Sequence, residues 1–248
     1  MTKKIAIFID NDFYFTVIFL KKFFKKYDNL NFVVFLSKDF LNIKRIFLML
    51  ILLPPSKFFR IFLKVLKNNI SNKTEEFLKS NKINYYKLKN INSIEVQEFL
   101  KKNNVDKILS VINSKIFKKK FFHSYEIYNL HLGKIPEYKG IVPVINAYID
   151  NRKLFHSSVF RVNFLGIDTG DLIGEKSITR EIKDDAFSLY EKLYDVGFEM
   201  LIDLTQNLLK SQKIDVIKKI NSKDGIYHKY PSLKKVFKFK FLEKNTKG

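Results

Sequence analysis

Up to about residue 131 the chain repeats one pattern: short apolar runs, several followed by stretches with apolar positions three and four apart. The runs at 5–9, 32–36, 85–88, 107–112 and 127–131 are strand-length and predict strands buried on both faces. Helical spacing appears at 15–25, 57–66, 74–81 and 93–102. Strand and helix in alternation predict an α/β fold, a Rossmann-like, mostly parallel sheet with helices on both faces. The pattern then changes. Residues 154–164 alternate as a long strand leading into a turn at Asp168, and 171–179 return as its antiparallel partner. Ala186, Leu189, Leu193, Val196, Met200, Leu204 and Leu208 recur at helical spacing, which predicts one amphipathic helix from about 184 to 210. Asp184 and Asp185 at its start and Lys210 at its end suit the helix dipole. Beyond Gln212 lysine dominates, and Tyr227-His228-Lys229-Tyr230-Pro231 is the one distinctive element. The expected organisation is a main domain over 1–211 and a small lysine-rich C-terminal appendage over 212–248.

Composition narrows the function classes. With 248 residues and 46% hydrophobic content the chain can bury a substantial core. It has no cysteine, which removes disulfides, a thiolate nucleophile and thiolate metal ligands, and makes a cytoplasmic location the expectation. The opening Met1-Thr2-Lys3-Lys4-Ile5-Ala6-Ile7-Phe8-Ile9-Asp10 reads as a first strand rather than a signal peptide. The longest charge-free apolar stretch, 46–56, is far shorter than the ~20 residues of a spanning helix, so no transmembrane segment is expected. After the first strand comes Asp10-Asn11-Asp12, with no glycine-rich loop to receive a pyrophosphate, and no phosphate-cradling loop of the P-loop type occurs.

The net charge of +21 raises a nucleic-acid or anionic-membrane partner. Its composition weakens the nucleic-acid reading: Arg45, Arg60, Arg152, Arg161 and Arg180 are the only arginines among 46 basic residues, whereas readers of bases and phosphates favour arginine. No specific nucleic-acid partner is expected. Between residues 40 and 72 there is no acid, while Lys44, Arg45, Lys57, Arg60, Lys64 and Lys67 alternate with phenylalanine, isoleucine and leucine. That segment reads as a sheet-covering helix with a solvated lysine face, or as a basic helix lying on an anionic membrane.

Candidate chemistry is concentrated in the run Asn129-Leu130-His131-Leu132-Gly133-Lys134-Ile135-Pro136-Glu137-Tyr138-Lys139-Gly140, with Gly166-Ile167-Asp168-Thr169-Gly170-Asp171 downstream. Five of the eight glycines, at 133, 140, 166, 170 and 174, fall around it, so special backbone geometry gathers there. Asn129 and His131 are two apart on a strand and share a face, where an amide donor and an imidazole can converge on one carbonyl. His123, His156 and His228 read as structural, and no spacing of His, Asp and Glu points to a metal.

The Asn-x-His, the Ile-Pro-x-x-x-Gly behind it and the later Asp-x-Gly together resemble the folate-dependent formyltransferase family, over roughly residues 105–210. Two departures stand out: Ile135 replaces the family's usual leucine, and Arg161 stands where many members carry histidine. The resemblance implies a catalytic trio of Asn129, His131 and Asp168, and formyltetrahydrofolate as donor. It places the pterin against Lys115, Ile116 and Phe117 on one side and Phe164, Leu165, Gly166 and Ile167 on the other, although Ile116 and Phe117 read equally well as helix-face core. In such a reaction Asn129 donates to the developing oxyanion, His131 takes the amine proton, and Asp168 fixes the imidazole tautomer, favours its charged form or relays a proton through water. Transfer is expected to be direct.

Asp10, Asn11, Tyr138 and Lys139 stand where an acceptor could be met, and Asp10 and Asn11 could equally cap the next helix. The glycinamide-ribotide branch carries a Gly-Ser-Asn phosphate loop after its first strand, and the methionyl-tRNA branch an extra barrel. By elimination the expected acceptor is an amino sugar attached to a nucleotide. The alternatives are glycinamide ribotide, methionyl-tRNA, a lipid-linked amino sugar, or a non-catalytic lysine-rich nucleic-acid-binding protein on the same scaffold. A homodimer and peripheral attachment at the inner membrane face are compatible with this reading.

Overall fold

A computed structural model of the chain describes residues 4–12, 14–37 and 71–245. The helix predicted at 57–66, the apolar stretch at 46–56 and nearly all of the acid-free segment 40–72 lie outside the described residues. Among the described residues, those before Leu130 form one compact unit and those from Leu130 onward a second.

The first unit is the predicted alternation. β1 (Lys4–Asp10), α1 (Phe15–Lys26), β2 (Phe32–Ser37), α2 (Ser71–Ser80), β3 (Tyr85–Leu88), α3 (Ile94–Lys102), β4 (Val105–Val111) and β5 (Glu126–His131) follow in order, with a 3₁₀ turn at Lys119–His123 before β5. The strands lie β3-β2-β1-β4-β5, and every pairing is parallel. Ile5 to Ile9 and Phe32 to Leu36 are buried without alternation, as strands covered on both faces must be. Phe19, Leu20 and Phe23 of α1 and Val96 and Leu100 of α3 complete this core. Ser93 caps α3, its hydroxyl accepting from the Val96 amide.

The start of α1 departs from expectation in its cap. Neither Asp10 nor Asn11 caps the helix; Asp12 Oδ1 accepts from the Tyr14 amide at 3.0 Å and the Thr16 amide at 2.8 Å. Asp10 is fully buried, its Oδ2 accepting from the Ser114 amide at 2.9 Å and its carbonyl from the Thr16 hydroxyl at 2.6 Å.

The second unit holds β6 (Lys139–Gly140), α4 (Pro143–Ile149), β7 (Leu154–Val162), β8 (Gly170–Thr179), α5 (Ala186–Leu209), β9 (Lys218–Ile220), β10 (Tyr227–His228) and α6 (Leu233–Asn245). β7 and β8 form the predicted antiparallel pair, with a bulge between Val159 and Phe160. α5 runs along β7 and buries Leu189, Leu193, Phe198, Leu201 and Leu208. Val196 and Met200, expected in its apolar stripe, are only half-buried, because the buried face passes through Gly197 instead. A Cβ at Gly197 would lie 2.7 Å from Leu130 Cδ1, so the missing side chain lets the helix close on β5's Leu130.

Residues after Gln212 contribute to this unit's own pairing. β9 adds to β8 antiparallel, β10 pairs with β6 parallel, and Phe239 of α6 is fully buried with its ring edge-on to Tyr148 at 5.1 Å. Elements of two and three residues leave no periodicity to read, which is why the sequence pattern shows only an appendage there. No helix among the described residues is long and apolar enough to cross a membrane.

Candidate active site

β5 carries Asn129 and His131 on one strand, at positions whose side chains share a face. His131 is buried, and its Nε2 lies 2.7 Å from the carbonyl oxygen of Tyr138. A carbonyl only accepts, so the neutral ring carries its proton on Nε2 and leaves the Nδ1 lone pair free of a proton. That nitrogen faces Asp168 Oδ2 at 3.8 Å. The tautomer is therefore fixed by a backbone carbonyl, not by Asp168 as the resemblance implied.

The backbone makes room for this arrangement. A Cβ at Gly133 would lie 2.9 Å from His131 Nε2 and 2.6 Å from Pro143 Cβ, so the loop after β5 can fold back over the imidazole only with glycine there. The Gly133 carbonyl is held by the buried Ser158 hydroxyl at 2.7 Å. The peptide between Ile135 and Pro136 is cis.

Asp168 sits at φ 51 in a left-handed turn, a conformation that aspartate tolerates better than most residues. Its Oδ2 accepts from the Gly140 amide at 2.6 Å. The preceding loop is pinned from within: Asn163 Oδ1 accepts from the Leu165 amide at 3.0 Å and the Thr169 hydroxyl at 2.6 Å, and Thr169 returns its carbonyl to the Asn163 amide at 3.0 Å. Arg161, which departs from the family pattern, pairs with Asp171 across β7 and β8 at 2.6 Å.

The residues expected to bind the donor divide by exposure. Phe164, Leu165 and Ile167 form an exposed apolar loop tip in the second unit, at 47%, 57% and 42% exposure. In the first unit Ile116 is 67% exposed, whereas Phe117 is buried with its ring edge-on to Phe8 at 5.2 Å. Both lie in an irregular segment and not on a helix face; the Ile116 carbonyl accepts from Asn92 Nδ2 at 2.9 Å, and the exposed Lys115 gives its amide to Asn113.

Two of the expected acceptor residues, Tyr138 and Lys139, are turned to internal work. Tyr138 is buried, its hydroxyl donating to Asp150 at 3.0 Å and accepting from Arg152 Nε at 2.9 Å. Burial pushes its phenol up, with Asp150 adding and Arg152 opposing. Lys139 is buried too, with Nζ donating to the Ser222 carbonyl at 3.0 Å. Chemical character drew attention to these side chains; the groups of this loop that touch His131 and Asp168 are the Tyr138 carbonyl and the Gly140 amide, which no residue name advertises. Among the described residues no group of His, Asp and Glu could hold a metal ion.

The family model for formyl transferases matches residues 62–205. The chain belongs to the formyl transferase family. The methionyl-tRNA formyltransferase of Caldicellulosiruptor saccharolyticus is 28% identical over 157 residues, 62% of this chain and 45% of that protein. The corresponding protein of Endomicrobium trichonymphae is 31% identical over 133 residues, 53% of this chain and 41% of that one. The chain thus spans less than half the length of these curated relatives. Among solved structures, the Helicobacter canadensis N-formyltransferase in complex with folinic acid and dTDP-3-aminofucose superposes with a TM-score of 0.63 at 16% identity, over 98% of this chain and 81% of that one. The phosphoribosylglycinamide formyltransferase of Bacillus halodurans gives 0.61 at 19% identity, over 87% of this chain and 100% of its own. At such identities the likeness is one of fold: the mostly parallel α/β formyl transferase fold.

Proposed function

We propose that this protein transfers a formyl group from formyltetrahydrofolate to the primary amine of a nucleotide-linked amino sugar. The observation that carries the chemistry is the buried imidazole of His131, whose Nε2–H is tied to the Tyr138 carbonyl while Nδ1 faces Asp168. The donor supplies an activated formyl carbon. His131 Nδ1 takes the proton that the acceptor amine loses as its nitrogen bonds to that carbon, and a carboxylate at 3.8 Å carries the charge opposite to the imidazolium so formed. Asn129, two residues earlier on β5, donates its amide N–H to the oxygen that gains negative charge, a contribution worth about 10²–10³ in rate at comparable sites. The proton returns from His131 to the nitrogen that leaves with the folate, so no covalent enzyme adduct is needed. The exposed Phe164, Leu165 and Ile167 fit the flat face of a pterin.

Two observations favour a sugar nucleotide as acceptor. Sugar N-formyltransferases are among the proteins with the same fold over nearly the whole chain. At the start of α1 the amides that a phosphate would need already bind Asp12, whose negative charge opposes a phosphate there, which argues against glycinamide ribotide. The second reading, methionyl-tRNA, is favoured by the sequence relatives. Either acceptor is consistent with a cytoplasmic enzyme; attachment at the membrane face and a homodimer add nothing to this chemistry.

The test is incubation of the protein with formyltetrahydrofolate and a panel of nucleotide-linked amino sugars, glycinamide ribotide and charged methionyl-tRNA, read by mass spectrometry. A sugar nucleotide heavier by one formyl group, absent with His131→Ala, is the expected result. Formylation of tRNA alone selects the second reading, and no product with any acceptor sinks the catalytic one.

A further inference from the structure

The two groups assigned to proton handling are held by main-chain atoms on either side of a single residue, Lys139: the Tyr138 carbonyl on His131 and the Gly140 amide on Asp168. Their position depends on whatever holds that backbone. β6, the strand they flank, is two residues long, and its sheet among the described residues has one other member, β10. The Lys139 amide donates to the Ile226 carbonyl at 3.1 Å and the Ile141 amide to the His228 carbonyl at 2.8 Å, one on each side of Gly140. Lys139 Nζ adds its bond to Ser222 at 3.0 Å. The His228 ring stacks on that of Tyr138, centroids 5.4 Å apart and planes 19° from parallel.

The contact is too close for most side chains. Gly140 has φ +95, and a Cβ there would run into the His228 carbonyl and lie 2.7 Å from the Tyr227 ring. Gly225 has φ +69 and abuts the Pro136 carbonyl, where a Cβ would likewise not fit. Glycine is thus required on both partners, once for each face of the approach. The His228 imidazole is half-buried, with Nε2 enclosed and without a hydrogen-bond partner among the described residues, and burial pushes the ring's basicity below its ordinary value against the Glu137 backbone. Besides that contact with the Glu137 backbone, stacking on Tyr138 is what this ring contributes.

We propose that residues 222–228 are a strap that positions the reacting groups, with His228 as its principal positioning residue: by pairing with β6 and stacking on Tyr138, they hold the carbonyl and the amide that orient His131 and Asp168. The proposal rests on the assignment of His131 and Asp168 to proton transfer. It gives the lysine-rich C-terminal region a place in the chemistry through the backbone of the loop that carries Tyr138 and Gly140.

The experiment compares the full-length protein with His228→Ala, His228→Phe and Gly140→Ala by two readouts. One is turnover with the acceptor found above; the other is the His131 Nε2–H signal in proton–nitrogen NMR, which needs no substrate. The strap predicts that His228→Ala lowers kcat about tenfold with little change in KM for the donor, and that the Nε2–H proton begins to exchange with solvent. His228→Phe, which keeps a flat ring, retains both the proton and most of the rate. Gly140→Ala, in which the strands must part, loses more than His228→Ala in both. Loss of the proton in His228→Ala when no protein form, wild type included, turns over would support the strap and remove the formyl-transfer reading. Unchanged kcat and an unchanged Nε2–H signal in a folded His228→Ala protein would overturn the proposal, and so would equal loss of rate in the alanine and phenylalanine variants.

Discussion

At position 131 one backbone carbonyl distinguishes the two nitrogens of an imidazole, and in the proposed reaction the other nitrogen takes the proton. The carbonyl is in reach because residue 133 is glycine. Gly133→Ala should therefore act on chemistry as well as stability: the methyl meets Pro143 and His131, and displacing either costs about 1–3 kcal/mol, the range for overpacking. Urea unfolding measures that loss, and turnover should fall further than the unfolded fraction explains. Asn129, His131 and Asp168 were legible in the sequence as candidates because the proposed roles reside in side chains, each an uncommon group in a recognisable spacing. The Tyr138 carbonyl and Gly140 amide were not, since every residue has both. Tyr138 and Lys139 misled for the complementary reason: their side chains look suited to a ligand, but burial commits them to Asp150, Arg152 and Ser222.

Among the elements, α5 shows how local charge sets a helix boundary. The sequence places the start near Asp184, whereas the helix begins at Ala186 with Asp185 as its cap and Asp184 just before it. Asp184 is buried yet bonded to the Glu181 amide, the Ser188 hydroxyl and Lys192 Nζ, each at 2.9 Å. Burial alone would raise its carboxyl; these partners outweigh it and hold the group below the usual carboxylate value. A carboxyl depressed by folding stabilises the protein fully above its unfolded value, about 3.9, and that contribution is lost as pH falls through the folded value. Asp184→Asn should lower stability at neutral pH by about 1–3 kcal/mol, and the difference from wild type should close below about pH 4 in urea titrations. The alternating strands and helices of the first unit and the β7–β8 pair were readable because their periods run long enough to register. The buried stripe of α5 was misplaced at Val196 and Met200 because a glycine that admits a neighbouring leucine is invisible to a hydrophobic count. β9 and β10 were too short to carry any period.

For the molecule as a whole, a formal charge of +21 means that lysines repel one another in the folded state more than in the expanded one. Added salt screens that repulsion, so the melting temperature should rise between about 0.05 and about 0.5 M sodium chloride, as scanning calorimetry would show. The same titration bears on the alternative of a nucleic-acid-binding protein: affinity for DNA arising only from net charge should fall steeply as salt rises and show no sequence preference. The course of β5 has a consequence of another kind. Its first four residues belong to one compact unit and its last two, Leu130 and His131, to the other, so the boundary passes through a strand and not a linker. A chain divided this way is not modular: a crossover in a gene shuffle that joins the halves of two relatives at residue 129 cuts a strand, and viable chimeras should have their junctions before Glu126 or after His131.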